Sequence, residues 1–253
     1  MKLKHLMLAV FTLWITPVYA DTISLRADEW CPYNCSPESA KPGFMIEIAK
    51  AIFTGAGHQL DYQIQPWARA IEDTRSGKFN GIIGASRGDA EDFIFPENEQ
   101  GSQTMSFFVK KGDSWTYSNL DSLKNRVLGV IKDYAYSDEL DQYIETNAKN
   151  SKAVQVASGE NALEINVKKI LGGRIQVILE DPNVIAEYLE NSNQQGALEA
   201  AGSLEKDNLY IAFGPQNPKS AQYAKLLSDG MNSLRKSGEL KKILSKYGIK
   251  DWK

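Results

Sequence analysis

The stretch Gly43-Phe44-Met45-Ile46-Glu47-Ile48-Ala49-Lys50-Ala51-Ile52-Phe53 indicates the fold more directly than any other part of the sequence. Its apolar residues recur at helical spacing and it is followed by Gly55 and Gly57, which predicts an amphipathic helix that ends at the glycines. Segments 22–27 and 60–65 on either side alternate apolar and polar residues, which predicts strands. A strand–helix–strand unit is typical of a parallel or mixed sheet covered by helices.

The same alternation continues along the rest of the chain and predicts an α/β protein. Further helices are predicted over 67–74, 138–144, 160–171, 182–189, 223–234 and 240–247, and further strands over 79–85, 127–131, 153–156, 175–179 and 209–213.

The pattern forms two runs, and each run is too short to build a generous core alone. We therefore expect two lobes, lobe 1 from residues 21–108 with 213–253 and lobe 2 from residues 109–212. The extended segments 104–111 and 208–214 are the candidate hinge crossings between them. A two-lobed α/β protein binds its ligand in the central cleft, at the carboxyl ends of strands and the N-termini of helices.

The composition is that of an ordinary globular protein and argues against nucleic acid as a partner. The chain has 253 residues, is 42% hydrophobic and carries a formal net charge of −3. Nucleic-acid-binding proteins instead cluster Lys and Arg into basic patches.

Residues 1–20 predict a cleaved secretory signal peptide and therefore an exported protein. Lys2 and Lys4 precede an apolar segment that is too short to span a bilayer, and Val18-Tyr19-Ala20 places small residues at a cleavage site.

Removal of residues 1–20 leaves a single histidine, His58. Zinc sites with several histidines and two-histidine mechanisms are excluded on that count, and we expect neither a metal nor a cofactor. His58 follows Gly55-Ala56-Gly57, so we expect it in a solvated loop.

Cys31 and Cys35 are the only cysteines, and in an exported chain an even number favours a disulfide. The loop between them is short, so the bond would mainly rigidify that loop. A redox site would favour a two-residue spacing, and a metal site would need further ligands.

Four segments carry a resemblance to a known family. Residues 43–52, Trp67 with 76–83, 173–181 and 237–243 are similar, in order, to the family 3 extracellular solute-binding proteins of the periplasmic amino-acid-binding type. Asn80 stands where that family usually has an acid.

The resemblance implies a type II periplasmic binding protein that closes on an amino acid or related small polar molecule. It also implies a monomer that presents this ligand to a membrane permease, or alternatively to a receptor, without a chemical step. Some proteins that resemble the family are cyclohexadienyl dehydratases. An enzyme of that kind would need a cleft acid with a raised pKa, for which Glu29 and Asp181 are the candidates.

The resemblance also implies residues that hold an amino-acid ligand. Asp181 falls where the family places the acid that binds the ligand's ammonium group, although Asp181-Pro182 is equally typical of a helix N-cap. Arg87, or Arg69 as a competitor, would bind the carboxylate, because arginine binds carboxylates bidentately.

Aromatic residues complete the candidate site. Trp30 and Tyr33 bracket the cysteine loop at a predicted strand end, and Trp67 begins the second helix, so all three are candidate walls of the cleft. Packing within the core is the alternative role for each.

Segment 129–137 departs from the family. The family usually has Gly followed by Ser or Thr here, but this chain has Asp133, Tyr134 and Tyr136, and Ser137 is expected only to cap the next helix. An acid would repel a carboxylate, which favours a ligand other than a standard α-amino acid. Tyr134 is a candidate to stack on an aromatic or cationic group, or else a packing residue.

Overall fold

A computed structural model describes residues 20–253, and the predicted signal peptide lies outside the described residues except for Ala20. In chain order the elements are β1 (Thr22–Ala27), α1 (Phe44–Gly55), β2 (Gln59–Ile64), α2 (Trp67–Arg75), β3 (Gly81–Ala85), β4 (Gly101–Gln103), β5 (Ser106–Lys110), β6 (Leu128–Ile131), α3 (Asp138–Asn147), β7 (Val154–Ala157), α4 (Ala162–Leu171), β8 (Val177–Glu180), α5 (Pro182–Asn191), β9 (Leu198–Ser203), β10 (Asp207–Phe213), α6 (Ser220–Ser237) and α7 (Glu239–Ser245). The expected α/β class is confirmed.

The strands form two five-stranded mixed sheets. The first has the order β2-β1-β3-β10-β4, with β1 parallel to β2 and β3 and with β10 antiparallel to β3 and β4. The second has the order β7-β6-β8-β5-β9, with β6 parallel to β7 and β8 and with β5 antiparallel to β8 and β9. The parallel strands of each sheet are joined through helices, as parallel pairing requires.

Helix α1 anchors the first lobe because its apolar stripe is buried on the sheet. Phe44, Ile48 and Phe53 are each at most 1% exposed, and Leu227 and Met231 of α6 are fully buried in the same core. The helix contacts both β2 and α6. Burial of such side chains contributes roughly 1.5–3 kcal/mol each, so the helix is held by packing rather than by propensity.

The chain passes between the two sheets at 104–105 and again at 204–206, since β5 lies entirely in the second sheet and β10 entirely in the first. We therefore propose crossings there in place of lobe boundaries at 108/109 and 212/213, which would cut through β5 and β10. The predicted crossing segment 104–111 includes the first of these passages.

The sequence pattern did not predict β4 or β9. Their sequences, Gly101-Ser102-Gln103 and Leu198-Glu-Ala-Ala-Gly-Ser203, lack the β-branched and aromatic residues that mark strands. They form because β10 and β5 offer them an edge to pair with.

The solvated position expected for His58 is wrong. Its side chain is buried and its Nδ1 accepts a hydrogen bond from the backbone N–H of Asp21 at 3.2 Å. The ring of Tyr223 lies edge-on to it at 6.1 Å. Packing of α6 against the start of β1 covers this loop, which is why the usual exposure of loops does not apply here.

Within residues 20–253, no helix is both long and apolar enough to cross a bilayer.

The start of α1 is tied to the loop closed by Cys31 and Cys35, which are joined in a disulfide as expected. The backbone N–H groups of Phe44 and Met45 donate to the carbonyl oxygens of Pro32 and Tyr33, both at 3.0 Å. These bonds satisfy helix donors that have no partner within the helix.

We expect Gly43→Ala to lower the free energy of unfolding by more than about 3 kcal/mol. Gly43 has φ +108°, and a Cβ there would lie 2.7 Å from the Cα of Asn34. Gly57→Ala is the matched control, because Gly57 has φ +84° with open space around a Cβ, and there we expect a loss of about 1 kcal/mol. Urea unfolding measures both, and equal losses would contradict the close approach of α1 to the disulfide loop.

Candidate ligand-binding cleft

A small cavity lies between the two sheets, where strands of both sheets end. Asp28 directly follows β1, Trp67 opens α2 after β2, Asp89 follows β3 and Tyr134 follows β6, and all four line it. Ligands of open α/β sheets bind at such carboxyl ends of strands. The cavity volume is about 20 Å³, which is room for roughly one water molecule.

Two aromatic side chains donate hydrogen bonds across the cleft to carboxylates of the opposite lobe. Nε1 of Trp30 donates to Oε1 of Glu180 at 2.7 Å, and the hydroxyl of Tyr134 donates to Oδ2 of Asp28 at 2.6 Å. Each bond joins a residue after β1 to a residue of the second sheet or its loops.

Two further cross-cleft bonds involve the backbone of the loop after β6. Nε1 of Trp67 donates to the carbonyl oxygen of Asp133 at 3.1 Å. The N–H of Ala135 donates to Oδ1 of Asp89 at 3.0 Å, while Oδ2 of Asp89 accepts from the N–H and hydroxyl of Ser86 at 2.7 and 2.8 Å. The two lobes are thus directly bonded to each other around the cavity.

The four predicted aromatic residues come together at this place. Trp30 stacks on Tyr33 with ring centroids 4.2 Å apart, and Tyr134 lies edge-on to Trp67 at 6.1 Å. Trp30, Trp67 and Tyr134 line the cavity, while Tyr33 supports Trp30 from behind and donates to the carbonyl oxygen of Ser102 at 3.1 Å. Their contact with a ligand stays a prediction.

Asp181 serves as a helix cap, one of its two expected roles. Its Oδ1 accepts the N–H of Asn183 at 2.8 Å at the start of α5, and its Oδ2 accepts the N–H of Thr104 at 3.3 Å. Because both oxygens are bonded to backbone donors, Asp181 ties α5 to the first crossing between the sheets. It does not line the cavity described above.

Neither predicted carboxylate-binding arginine lines the cavity. Arg87 is exposed, and its guanidinium lies over the rings of Phe95 and Tyr210 at 5.0 and 4.9 Å. Arg69 is also exposed and lines, with Lys132, a larger groove that shares Asp89, Tyr134 and Ala135 with the cavity. The bonds from Ser86 to Asp89 close the turn after β3, and this turn directs Arg87 away from the cleft.

Most of the loop after β6 is used for internal packing. The hydroxyl of Tyr136 accepts the N–H of Ile131 at 3.0 Å, and the hydroxyl of Ser137 caps α3 by accepting the N–H of Leu140 at 3.4 Å. The expected capping role of Ser137 is confirmed.

Burial desolvates the carboxyl groups at the cleft and raises their pKa values. The pKa of Glu180 rises to about 8, and the pKa values of Asp28 and Asp89 rise to about 6. The hydrogen bonds from Trp30, Tyr134 and Ser86 oppose these shifts because they favour the ionised forms.

Sequence reasoning missed Asp28, Asn34, Asp89 and Glu180. Asp28 and Glu180 end or directly follow strands, so the position of strand ends could have identified them. Asn34 is 1% exposed inside the disulfide loop, and its Nδ2 donates to the carbonyl oxygen of Asp28 at 2.7 Å. No sequence pattern signals that contact.

The fold is that of a two-lobed α/β protein with a small cavity between its two sheets. The family model for bacterial extracellular solute-binding proteins, family 3, matches residues 25–250, and the chain belongs to this family.

Relatives and solved structures agree with this membership. The chain is similar to a probable histidine-binding protein of Neisseria gonorrhoeae, with 23% identity over 83% of this chain and 75% of that protein. It shares the type II periplasmic binding protein fold with a substrate-binding protein of an ABC uptake transporter from Streptococcus pneumoniae with bound histidine (TM-score 0.72, 18% identity, 89% of this chain and 92% of that one). A histidine kinase sensor domain is equally similar in fold (TM-score 0.71, 17% identity, 89% and 95%).

We expect the ligand-free protein to lose stability as the pH rises from about 4.5 to about 8. A carboxyl whose pKa is higher in the folded than in the unfolded state opposes folding over that interval, by up to about 1.4 kcal/mol per pH unit. Glu180 is the strongest such group. Glu180→Gln keeps an oxygen acceptor for Trp30 and removes the charge.

The measurement is the midpoint of urea unfolding at pH 5, 6, 7 and 8 for both proteins. The variant should show a smaller decline with pH than the unmodified protein. Parallel declines would mean that Glu180 is solvated or is paired with a cation.

Proposed function

We propose that this protein is a periplasmic solute-binding protein that captures a small polar molecule between its lobes and presents it to a membrane transporter. The observation that carries the proposal is the cavity between the sheets, whose walls come from both lobes and are bonded across the cleft. Its membership of an extracellular solute-binding family supports a location outside the cytoplasm.

Closure is proposed to be a hinge motion about the passages at 104–105 and 204–206. Rotation of one lobe would break the Trp30–Glu180 and Tyr134–Asp28 bonds and open the cavity to solvent, while each sheet with its helices moved as a rigid body. The loop that the disulfide closes contains Asn34, directly follows Trp30 and accepts the first N–H groups of α1, so we propose that it holds these two cavity residues in place.

A second candidate partner is a membrane receptor that reads the closed state. It is favoured by the likeness in fold to a sensor domain of a histidine kinase. Crosslinking in intact cells, with a photoreactive group on the surface of each lobe, would distinguish these two partners, because it captures either a permease or a receptor. In both cases we propose a monomer.

A dehydratase-like enzyme is the alternative from a different class. It would need a protonated acid in the cleft, and Glu180 with its pKa near 8 meets that need, whereas both oxygens of Asp181 are bonded to backbone. Turnover of prephenate or arogenate by the pure protein would support the enzyme, and its absence would leave binding as the function.

We expect Trp67→Ala to abolish most of the thermal stabilisation by a bound solute, since it removes a cavity wall and the bond to Asp133. A ligand at 100 times its Kd stabilises by about 2.7 kcal/mol. Arg87→Ala is the control and should keep this stabilisation, because Arg87 lies outside the cavity.

A thermal-shift screen of amino acids, polyamines, small carboxylates and sugars identifies the ligand for this test. Circular dichroism establishes that both variants fold. Full stabilisation in Trp67→Ala, or its loss in Arg87→Ala, would show that the ligand binds elsewhere.

A further inference from the structure

The described residues that line the cavity include two aspartates and no Lys, Arg or His. A ligand carboxylate needs a fixed cation or several free N–H donors. With Asp28 and Asp89 in its wall, the cavity instead repels an anion. The charge of the walls therefore favours a positively charged ligand.

The side-chain donors at the cavity are already used by the protein. The indole N–H groups of Trp30 and Trp67 and the hydroxyl of Tyr134 each donate to an oxygen of the opposite lobe. Gln103 is the exception, and its amide is neutral and offers both a donor and an acceptor.

The backbone donors of the cleft turns are also used, because Asp89 accepts from the N–H groups of Ser86 and Ala135. A carboxylate of the protein itself thus occupies the donors that a ligand carboxylate would require.

A buried hydrogen-bond acceptor at the cavity, in contrast, has no donor among the described residues. Oδ1 of Asn34 has no hydrogen-bond partner among the described residues, although Asn34 is 1% exposed and lines the cavity. The donation from its Nδ2 to Asp28 fixes the amide so that this oxygen is left as an acceptor. Buried acceptors without donors are costly, and a ligand N–H group would relieve that cost.

Aromatic faces complete a cation site. Trp30, held by its stacking on Tyr33, and the pair Trp67–Tyr134 approach the cavity from the two lobes. Aromatic faces attract ammonium groups more strongly when water is excluded. A metal ion fits less well, since no three His, Cys, Asp or Glu side chains among residues 20–253 are placed to hold one.

Building on the proposed function, we propose that the captured solute is an organic cation that carries an ammonium group and no carboxylate. The ammonium group lies against Asp28 and the Asn34 oxygen, between the rings of Trp30, Trp67 and Tyr134. The raised pKa values of Asp28 and Asp89 agree with this, because they mark carboxyl groups that lack a cation in the ligand-free cleft.

The test compares amino acids with the amines that differ from them only by the carboxylate. Isothermal titration calorimetry measures histidine against histamine, arginine against agmatine and lysine against cadaverine, with choline as a quaternary probe. We expect at least one amine to bind at least tenfold more tightly than its amino acid.

Asp28→Asn should weaken binding of that amine at least tenfold while it retains an acceptor for Tyr134. Asp229→Asn, on the exposed face of α6, is the matched control and should leave the affinity unchanged. Urea unfolding establishes that both variants are folded, and Asp89→Asn replaces Asp28→Asn if the latter is not.

Tighter binding of the amino acids would overturn this inference and leave the proposed function intact. Absence of binding by every amine would also overturn it, and the broader solute screen would then decide the proposed function separately. Equal affinity of Asp28→Asn and the unmodified protein for an amine would show that the ammonium group lies elsewhere.

Discussion

The closing of the two lobes brings carboxyl groups together in a place where no cationic side chain of the described chain balances them. Glu180 and Asp181 are each 1% exposed, and Asp28 and Asp89 lie at the cavity wall. Desolvation of a carboxylate is costly unless it is paired or protonated. The structure meets this cost with neutral donors, namely the Trp30 indole, the Tyr134 hydroxyl and backbone N–H groups. These same bonds hold the lobes together, so the geometry of the cleft follows from how its acids are satisfied.

The scaffold explains why these groups meet. Strands β1, β3 and β6 all end at the cleft, so the residues that follow them converge without needing to be close in sequence. The disulfide loop is fixed to the first lobe, because the carbonyl oxygens of Pro32 and Tyr33 accept hydrogen bonds from the first free N–H groups of α1. Trp30 and Asn34 are therefore placed by a helix that is itself buried in the core of the first lobe.

Features that depend on residues close together in the sequence could be predicted, and features that depend on residues far apart in the sequence could not. Helix α1 and strand β1 were predictable because their apolar spacing is local, and Ser137 was predictable as a cap for the same reason. Glu180 was not, because its role depends on Trp30, which lies 150 residues away in sequence. Arg87 was expected at the ligand from a resemblance, but the turn held by Ser86 and Asp89 places it on the outer rings of Phe95 and Tyr210. Short-range pattern thus predicted elements, and three of the four candidate aromatic residues line the cavity, whereas the charges of the site depended on contacts between lobes.

The selectivity of such a cleft depends on which hydrogen bonds within the protein a ligand must break and replace. Any solute that enters between Tyr134 and Asp28 breaks a hydrogen bond that the protein makes with itself. A neutral ligand restores a bond of similar strength, and an anion gains nothing from the carboxylates it meets. An ammonium group forms a hydrogen bond to the Asp28 carboxylate in which both partners are charged, whereas the Tyr134 hydroxyl that it replaces is a neutral donor. Under the proposed function, a solute is selected by the hydrogen bonds it forms in place of those that it breaks.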